Sequence, residues 1–143
     1  MIPQELELVD ERDTESLALT LAAGLKGGQS IGLVGELGAG KTTLVRYLVK
    51  ALGISAAVSS PSYVLSHEYA QAGAPFLVEH WDLYRLGALP EELMEPPADS
   101  FVRVIEWSDK FDELMAELDV IVNINLREEQ GVFRRMVNVL TRP

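Results

Sequence analysis

Residues 35–42 read GELGAGKT and match the pattern G-x-x-x-x-G-K-[ST] at every fixed position. The apolar run SIGLVG precedes them at 30–35, and a segment with apolar residues at helical spacing follows from Lys41 to Leu52. This strand–loop–helix arrangement predicts a loop whose backbone N–H groups form a nest for phosphate, at the positive end of a helix. Such a unit requires a strand packed against its own helix, so it constrains the chain to an α/β fold.

Each position of this phosphate loop has an expected role. Lys41 is expected to reach the β- and γ-phosphate oxygens, Thr42 to ligate Mg²⁺, and Thr43 to make a further phosphate contact. A glycine-rich turn that binds nothing is the alternative, but the flanking strand and helix favour nucleotide binding. The residues expected to enclose the nucleotide phosphates are Gly35, Glu36, Leu37, Gly38, Ala39, Gly40, Lys41, Thr42 and Thr43.

Two carboxylates are candidates for the acidic partner that a phosphate loop needs. Asp82 follows the apolar residues of EHWDLYRL, and Glu106 closes the run RVIE, so each is predicted near the end of a strand. That edge of an open α/β sheet is where ligands bind. Their neighbours Glu79 and Asp109 are expected at the surface. His80 is expected to be a satisfied, half-buried group rather than a ligand, and Trp81 and Trp107 are expected to serve packing.

Strands and helices alternate along the chain, and two hairpins are added. Strands are predicted over 5–10, 30–35, 62–69, 75–84, 101–107, 119–126 and 132–140, with hairpin loops at 70–74 and 127–131. Helices are predicted over 14–26, 41–52, a short segment after Leu89, and 108–118 with Ser108 as N-cap. The pattern predicts one domain over 1–143, an α/β, P-loop NTPase-like three-layer sandwich with a mixed sheet, flanking helices and added β-hairpins.

Composition narrows the function classes. The chain has no cysteine, which excludes disulfides and thiolate chemistry and suits a cytoplasmic protein. No apolar run is long enough to span a membrane, and the acidic N-terminus does not resemble a signal peptide. The net charge of −10, with a basic cluster only at Arg127, Arg134 and Arg135, predicts no strong direct binding of nucleic acid. A protein partner with a basic surface is favoured instead.

Three nucleotide-dependent activities remain open from the residues alone. The chain lacks an N-K-x-D segment for guanine, so ATP is favoured over GTP. An ATPase is the first hypothesis. A nucleotide-gated binding module is the second, since the serine-rich turn SSPSY at 59–63 lies where a nucleotide-sensing loop is expected. A small-molecule kinase is the third, although only Arg85 and Arg103 precede the last hairpin to serve an arginine-rich lid.

Four segments in this order resemble the TsaE family: GELGAGKTTLVRYL, VSSPSYVLSHEY, EHWDLYRL and VIEWSD. The resemblance covers about residues 14–114 and is more specific than the phosphate loop alone. It implies a P-loop ATPase of tRNA threonylcarbamoyladenosine biosynthesis, which binds ATP or ADP with Mg²⁺ and hydrolyses ATP slowly. It also implies action with TsaD and TsaB, which transfer a threonylcarbamoyl group to adenosine 37 of tRNA.

The resemblance further assigns residues. Lys41 and Asp82 correspond to the P-loop lysine and to the aspartate of H-x-D-x-Y-R, and Glu106 to the acid tied to hydrolysis or metal handling. These three are the expected catalytic residues, with Thr42, Asp82 and Glu106 as the expected metal ligands. Trp107 is expected close to the nucleotide. Ser62 replaces the threonine of the family's S-P-T-[FY] segment, so that a hydroxyl contact is expected there. Residues 89–101 depart from the family's usual helical segment.

Overall fold

Over residues 2–61 and 65–143, which the computed structural model describes, the chain forms one seven-stranded sheet in the order β1-β7-β6-β2-β5-β4-β3. The four central strands β6, β2, β5 and β4 are parallel, and β3, β7 and β1 are antiparallel additions. The predicted mixed sheet with added hairpins is therefore confirmed. The strands are β1 Ile2–Leu8, β2 Ser30–Gly35, β3 Ser66–Tyr69, β4 Leu77–Asp82, β5 Phe101–Glu106, β6 Val120–Glu129 and β7 Val132–Thr141.

The two faces of the sheet are covered unequally. Helices α1 (Glu11–Gly24) and α2 (Lys41–Ala51) pack on one face and bury the larger apolar cluster. The other face carries 3₁₀ turns at Glu91–Met94 and Ser108–Lys110 and the short helix α3 (Asp112–Met115). The layers number three, as predicted, but the second helical layer is thin. Among the described residues, no helix has the length and apolar character needed to cross a bilayer.

Alternation along the central strands decides which side chains reach the α2 side of the sheet. Val102 and Val104 of β5 belong to the cluster under α1 and α2, whereas Ile105 belongs to the cluster on the opposite face. Because side chains alternate with a period of two, Glu106 points to the α2 side. The same alternation places His80 and Asp82 of β4 on that side with Val78.

Helix α1 begins and ends earlier than predicted. It spans Glu11–Gly24 because the Asp10 side chain accepts hydrogen bonds from the N–H groups of Arg12 and Asp13. Leu25 then adopts an extended conformation (φ −77°, ψ 140°), so the helix stops before the glycine pair at 27–28. The prediction of 14–26 missed the aspartate cap.

The single helix predicted over 108–118 is wrong. The chain makes a 3₁₀ turn at Ser108–Lys110, becomes extended at Phe111 and forms one turn of helix α3. Ser108 is fully buried and caps nothing, because its Oγ lies under β2, where a Cβ on Gly32 would come within 2.4 Å of it. Because Ser108 is buried against the sheet, the chain forms a 3₁₀ turn there instead of a continuous helix.

The hairpins form where expected, with different strand lengths. β4 is shorter than the predicted 75–84. Of the strand predicted over 62–69, residues Ser66–Tyr69 form β3, and residues 62–64 lie outside the described residues. In the last hairpin, Glu129 pairs with Val132, so the loop is only Gln130 and Gly131 rather than 127–131. Both loop residues have positive φ (53° and 78°), as a type I′ turn requires.

This turn offers a test of local backbone preference. Asparagine adopts the left-handed conformation more readily than glutamine does, so Gln130→Asn is expected to raise the free energy of unfolding by about 0.5 kcal/mol. Gln130→Val is the matched control and is expected to lower it, because a β-branched side chain disfavours positive φ. Urea denaturation followed by circular dichroism measures both. Equal stability of the two variants would contradict the turn assignment.

Candidate functional site

The phosphate loop leaves β2 and enters α2 through a tight wrap of glycines. Gly38 (φ 77°) and Gly40 (φ 109°) occupy a region that other residues rarely adopt. A Cβ on Gly35 would come within 2.6 Å of the Ile124 carbonyl oxygen, so the loop passes close to β6. The Ala39 N–H donates to the Glu36 oxygen at 3.0 Å, and the Leu44 N–H donates to the Gly40 oxygen as the first helical bond. The geometry accounts for both fixed glycines of the pattern.

The Lys41 ammonium group lies within this loop. Its Nζ donates to the Gly35 and Glu36 carbonyl oxygens at 2.5 and 2.9 Å and lies 4.1 Å from the centroid of the Trp107 ring. Burial lowers the pKa of Lys41, and the nearby negative charges of Glu106, Asp82 and Asp109 oppose this effect. Among the described residues, the hydrogen-bond acceptors of this buried ammonium group are two neutral carbonyl oxygens, so the group is suited to an anionic ligand.

Asp82 and Glu106 are adjacent in register at the ends of β4 and β5. Glu106 is 2% exposed, and its Oε1 accepts a hydrogen bond from the Thr42 Oγ1 at 2.9 Å. Asp82 is also buried, and it accepts from the Ser60 Oγ at 2.6 Å and from the Tyr84 N–H at 3.0 Å. Both predicted carboxylates therefore lie beside the phosphate loop, and Glu106 is hydrogen-bonded to it through Thr42.

A buried chain of side chains lies behind Glu106. His80 is fully buried, with its Nε2 2.6 Å from Glu106 Oε2 and its Nδ1 3.1 Å from the Tyr69 hydroxyl. The Tyr69 hydroxyl also lies 3.3 Å from the Ser59 carbonyl oxygen. Burial raises the pKa of Tyr69, so the phenol keeps its proton. His80 is a satisfied group, as expected, but it is fully rather than half buried, and it contacts a candidate site residue.

Trp107 turns the chain out of β5. Its backbone is left-handed (φ 60°, ψ 36°), which is uncommon for a bulky residue, and its N–H is held by the Leu33 carbonyl oxygen at 2.9 Å. This turn presents the indole to the Tyr84 ring, with centroids 4.8 Å apart, and to the Lys41 ammonium. Trp107 thus faces the site rather than serving only packing, whereas Trp81 is 3% exposed in the core, as predicted.

These elements enclose a cavity of about 400 Å³ at the carboxyl edge of the sheet. A second cavity of about 200 Å³ adjoins it, bounded by the first turn of α1, and the two share Gly40, Thr43 and Arg135. The lining residues of the larger cavity are Leu37, Gly38, Gly40, Lys41, Thr42, Thr43, Ser60, Asp82, Tyr84, Glu106, Trp107 and Arg135. The volume is in the range of small-molecule sites.

Most of the residues predicted for this site line the larger cavity. Leu37 is an exposed rim residue, and Ser62 lies outside the described residues. Glu79, expected at the solvated surface, instead accepts hydrogen bonds from Arg103 Nε and Trp81 Nε1.

The missed residues are Ser60, Tyr69, Tyr84 and Arg135. Arg135 reaches back from β7 and donates from Nε to the Ala39 carbonyl oxygen at 3.1 Å. Nothing in its sequence neighbourhood indicates this long-range contact.

A parallel strand, a GELGAGKT loop and two carboxylates at the same sheet edge define the class of P-loop NTPase-like proteins. A family model described as "Threonylcarbamoyl adenosine biosynthesis protein TsaE" matches residues 8–137. The chain belongs to the TsaE family.

Individual proteins that are similar to this chain support the same family assignment. A Haemophilus influenzae protein named tRNA threonylcarbamoyladenosine biosynthesis protein TsaE is 43% identical over 102 residues, which are 68% of this chain. The match spans 63% of that protein's length, less than two thirds. A Rickettsia felis protein of the same name is 33% identical over 95% of this chain and 79% of its own. The crystal structure of Bacillus subtilis YdiB superposes with a TM-score of 0.70 and 25% identity, covering 98% of this chain and 86% of that one. The predicted fold class is thereby confirmed.

Proposed function

We propose that this chain is a slow, Mg²⁺-dependent ATPase that supports threonylcarbamoyladenosine formation in tRNA. The observation that carries the proposal is the convergence of Lys41, Thr42, Asp82 and Glu106 on one cavity beside the phosphate loop. Together they supply a cation for phosphate, a hydroxyl and two carboxylates, which are the parts that P-loop hydrolysis requires. The names of the relatives support the pathway.

The donor set of the site fits Mg²⁺. In the described part of the chain, no three acidic or histidine side chains cluster as a cage for a metal. Mg²⁺ needs no such cage, because it is bound through one or two protein oxygens together with phosphate oxygens and water. Thr42 Oγ1 and the carboxylates of Asp82 and Glu106 would hold the ion or its water shell. When bound, it would neutralise the charge that develops on the transferring phosphoryl group.

The chain's own residues divide the remaining work. Lys41 and the amides of residues 35–41 neutralise and fix the phosphates, since a preorganised cation and dipoles cost no reorganisation during reaction. Glu106 is bonded to Thr42, so we assign it the metal shell or the attacking water. Asp82 lies one strand further from the loop strand and shares the metal shell.

The nucleoside end is proposed to extend into the second cavity. Thr43 and Gly40 line both cavities, so a triphosphate in the larger one would leave along the α2 N-terminus toward α1.

Homologues of TsaD and TsaB are the proposed protein partners. The net charge of −10 makes docking on a protein more favourable than direct binding to tRNA. A pull-down with TsaD and TsaB homologues in ATP, ADP or no nucleotide tests this, with capture expected to depend on the nucleotide. Equal capture in all three, or none, would contradict a nucleotide-dependent partnership.

Steady-state release of phosphate from ATP with Mg²⁺, with and without those partners, tests the activity. Slow turnover that EDTA abolishes supports the ATPase, and no turnover under either condition contradicts it.

One observation favours the alternative of a nucleotide-gated binding module: the hydrogen bond from Ser60 to Asp82, which connects the segment at 59–60 to the site. It predicts that Lys41→Ala loses partner affinity while Glu106→Ala retains function. A kinase is less favoured, because Arg103 is buried against Glu79 and is not available to a lid.

Arg135 is expected to contribute to nucleotide affinity. Its guanidinium lies where the two cavities meet, so Arg135→Ala is expected to weaken ADP binding about three- to tenfold, the loss of one charged hydrogen bond. Arg134→Ala is the matched control, because that neighbouring arginine is exposed and pairs with Glu7 and Glu129. Isothermal titration calorimetry measures both. Equal weakening by the two variants would contradict the contact.

A further inference from the structure

Tyr69 and His80, the buried side chains behind Glu106, have no part in the mechanism described so far. Five polar groups follow one another: the Ser59 carbonyl, the Tyr69 hydroxyl, the His80 ring, the Glu106 carboxylate and the Thr42 hydroxyl. Tyr69 and His80 are 6% and 0% exposed, and neither lines the cavity. Residues that touch no ligand but contact a site carboxylate can act by orienting it.

We propose that Tyr69 is a positioning residue that acts through His80 to hold the Glu106 carboxylate facing Thr42. This inference rests on the proposed ATPase function. A carboxylate on a strand end rotates about its terminal torsion unless both oxygens are held. Here His80 holds Oε2 at 2.6 Å, which leaves Oε1 directed at the Thr42 hydroxyl at 2.9 Å.

The Tyr69 hydroxyl decides whether Nε2, the His80 nitrogen that faces Glu106, carries the ring proton. His80 Nδ1 lies 3.1 Å from this hydroxyl, nearer than the Ser59 oxygen at 3.3 Å or His67 Nδ1 at 3.4 Å. The 2.6 Å contact between His80 Nε2 and a carboxylate oxygen requires a proton on Nε2. The single proton of the phenol is therefore directed at Nδ1 rather than at the Ser59 oxygen, and this arrangement keeps the ring proton on Nε2, where it donates to Glu106. Without the phenol, the other tautomer becomes available and the grip on Oε2 weakens.

The same chain links the site to the segment before residue 62. Tyr69 contacts the Ser59 carbonyl, and the next residue, Ser60, donates to Asp82. Both site carboxylates are therefore connected to the 59–60 segment, one directly and one through His80 and Tyr69. A conformational change of that segment would therefore alter the position of Glu106 through Tyr69 and His80.

The first test needs no nucleotide. The chain has two histidines, so ring ¹⁵N spectra contain two sets of signals, and His67→Asn identifies those of His80. Tyr69→Phe is expected to move the His80 Nδ1 resonance, because that nitrogen loses its partner. Tyr47→Phe is the matched control: it removes an exposed hydroxyl bonded to Glu11 on α1 and should leave His80 unchanged. Unmoved His80 signals in Tyr69→Phe would overturn the proposal.

The second test separates positioning from a general loss of structure. Tyr69→Phe is expected to lower kcat about three- to tenfold with KM for ATP changed less than about twofold, since the phosphate loop is untouched. In a His80→Gln background, whose amide can still donate to Glu106, Tyr69→Phe should cost nothing further.

Three results of this second test overturn the proposal: full kcat in Tyr69→Phe, an equal loss in kcat and in affinity, or a full loss from Tyr69→Phe in the His80→Gln background. Absence of turnover in the unchanged protein would instead overturn the proposed ATPase. The two failures are thus distinguishable, because the ring ¹⁵N measurement is made without nucleotide.

Discussion

Glu106→Gln is expected to abolish ATP turnover while leaving nucleotide binding largely intact. The substitution keeps the shape of the side chain and its acceptor for Thr42 but removes the negative charge that the metal shell or the attacking water requires. A fall of about 10²- to 10⁴-fold in the hydrolytic step follows from the usual contribution of one acid–base group. Single-turnover hydrolysis of labelled ATP is the measurement, because the proposed slow turnover would leave too little range in steady-state rates.

The matched control for this variant is Asp109→Asn. Asp109 lies three residues away and is exposed, so its loss of charge should leave the rate within about twofold of the unchanged protein. ADP affinity by calorimetry checks that Glu106→Gln still binds, with a change of less than about threefold expected. If Glu106→Gln kept more than a tenth of the rate, the catalytic assignment would be wrong.

The sequence was sufficient for the centre of the fold and the site. The 30–35 strand has the same bounds in the structure as in the prediction, because a strand buried on both faces reads as an uninterrupted apolar run. The loop that follows is specified locally by its glycines and Lys41. Asp82 and Glu106 were predictable because parallel strands end at one edge, and neighbouring strands then place the two carboxylates side by side.

The errors arise where distant contacts decide local structure. The 108–118 segment has a helical pattern, but the left-handed turn at Trp107 and the burial of Ser108 under β2 override it. Arg135 was not assigned to the site because its role depends on a hydrogen bond to Ala39, which is far away in the sequence. Tyr69 was not assigned because its bond to His80 depends on the register of the β3–β4 hairpin. Strand pairing, which brings such residues together, is not encoded in any short window.

Lys41→Met is expected to lower the affinity for ATP and ADP about 100-fold, because the variant loses the buried cation that is proposed to bond the phosphate oxygens. The ligand-free fold should survive, since burial disfavours the charged lysine and methionine fills a similar volume. Calorimetry with Mg²⁺ and ADP measures the affinity, and urea denaturation measures the stability. Lys50→Met, on the exposed last turn of α2, is the control and should bind normally. Tight binding by Lys41→Met would refute the phosphate site, because no other described lysine lines the cavity.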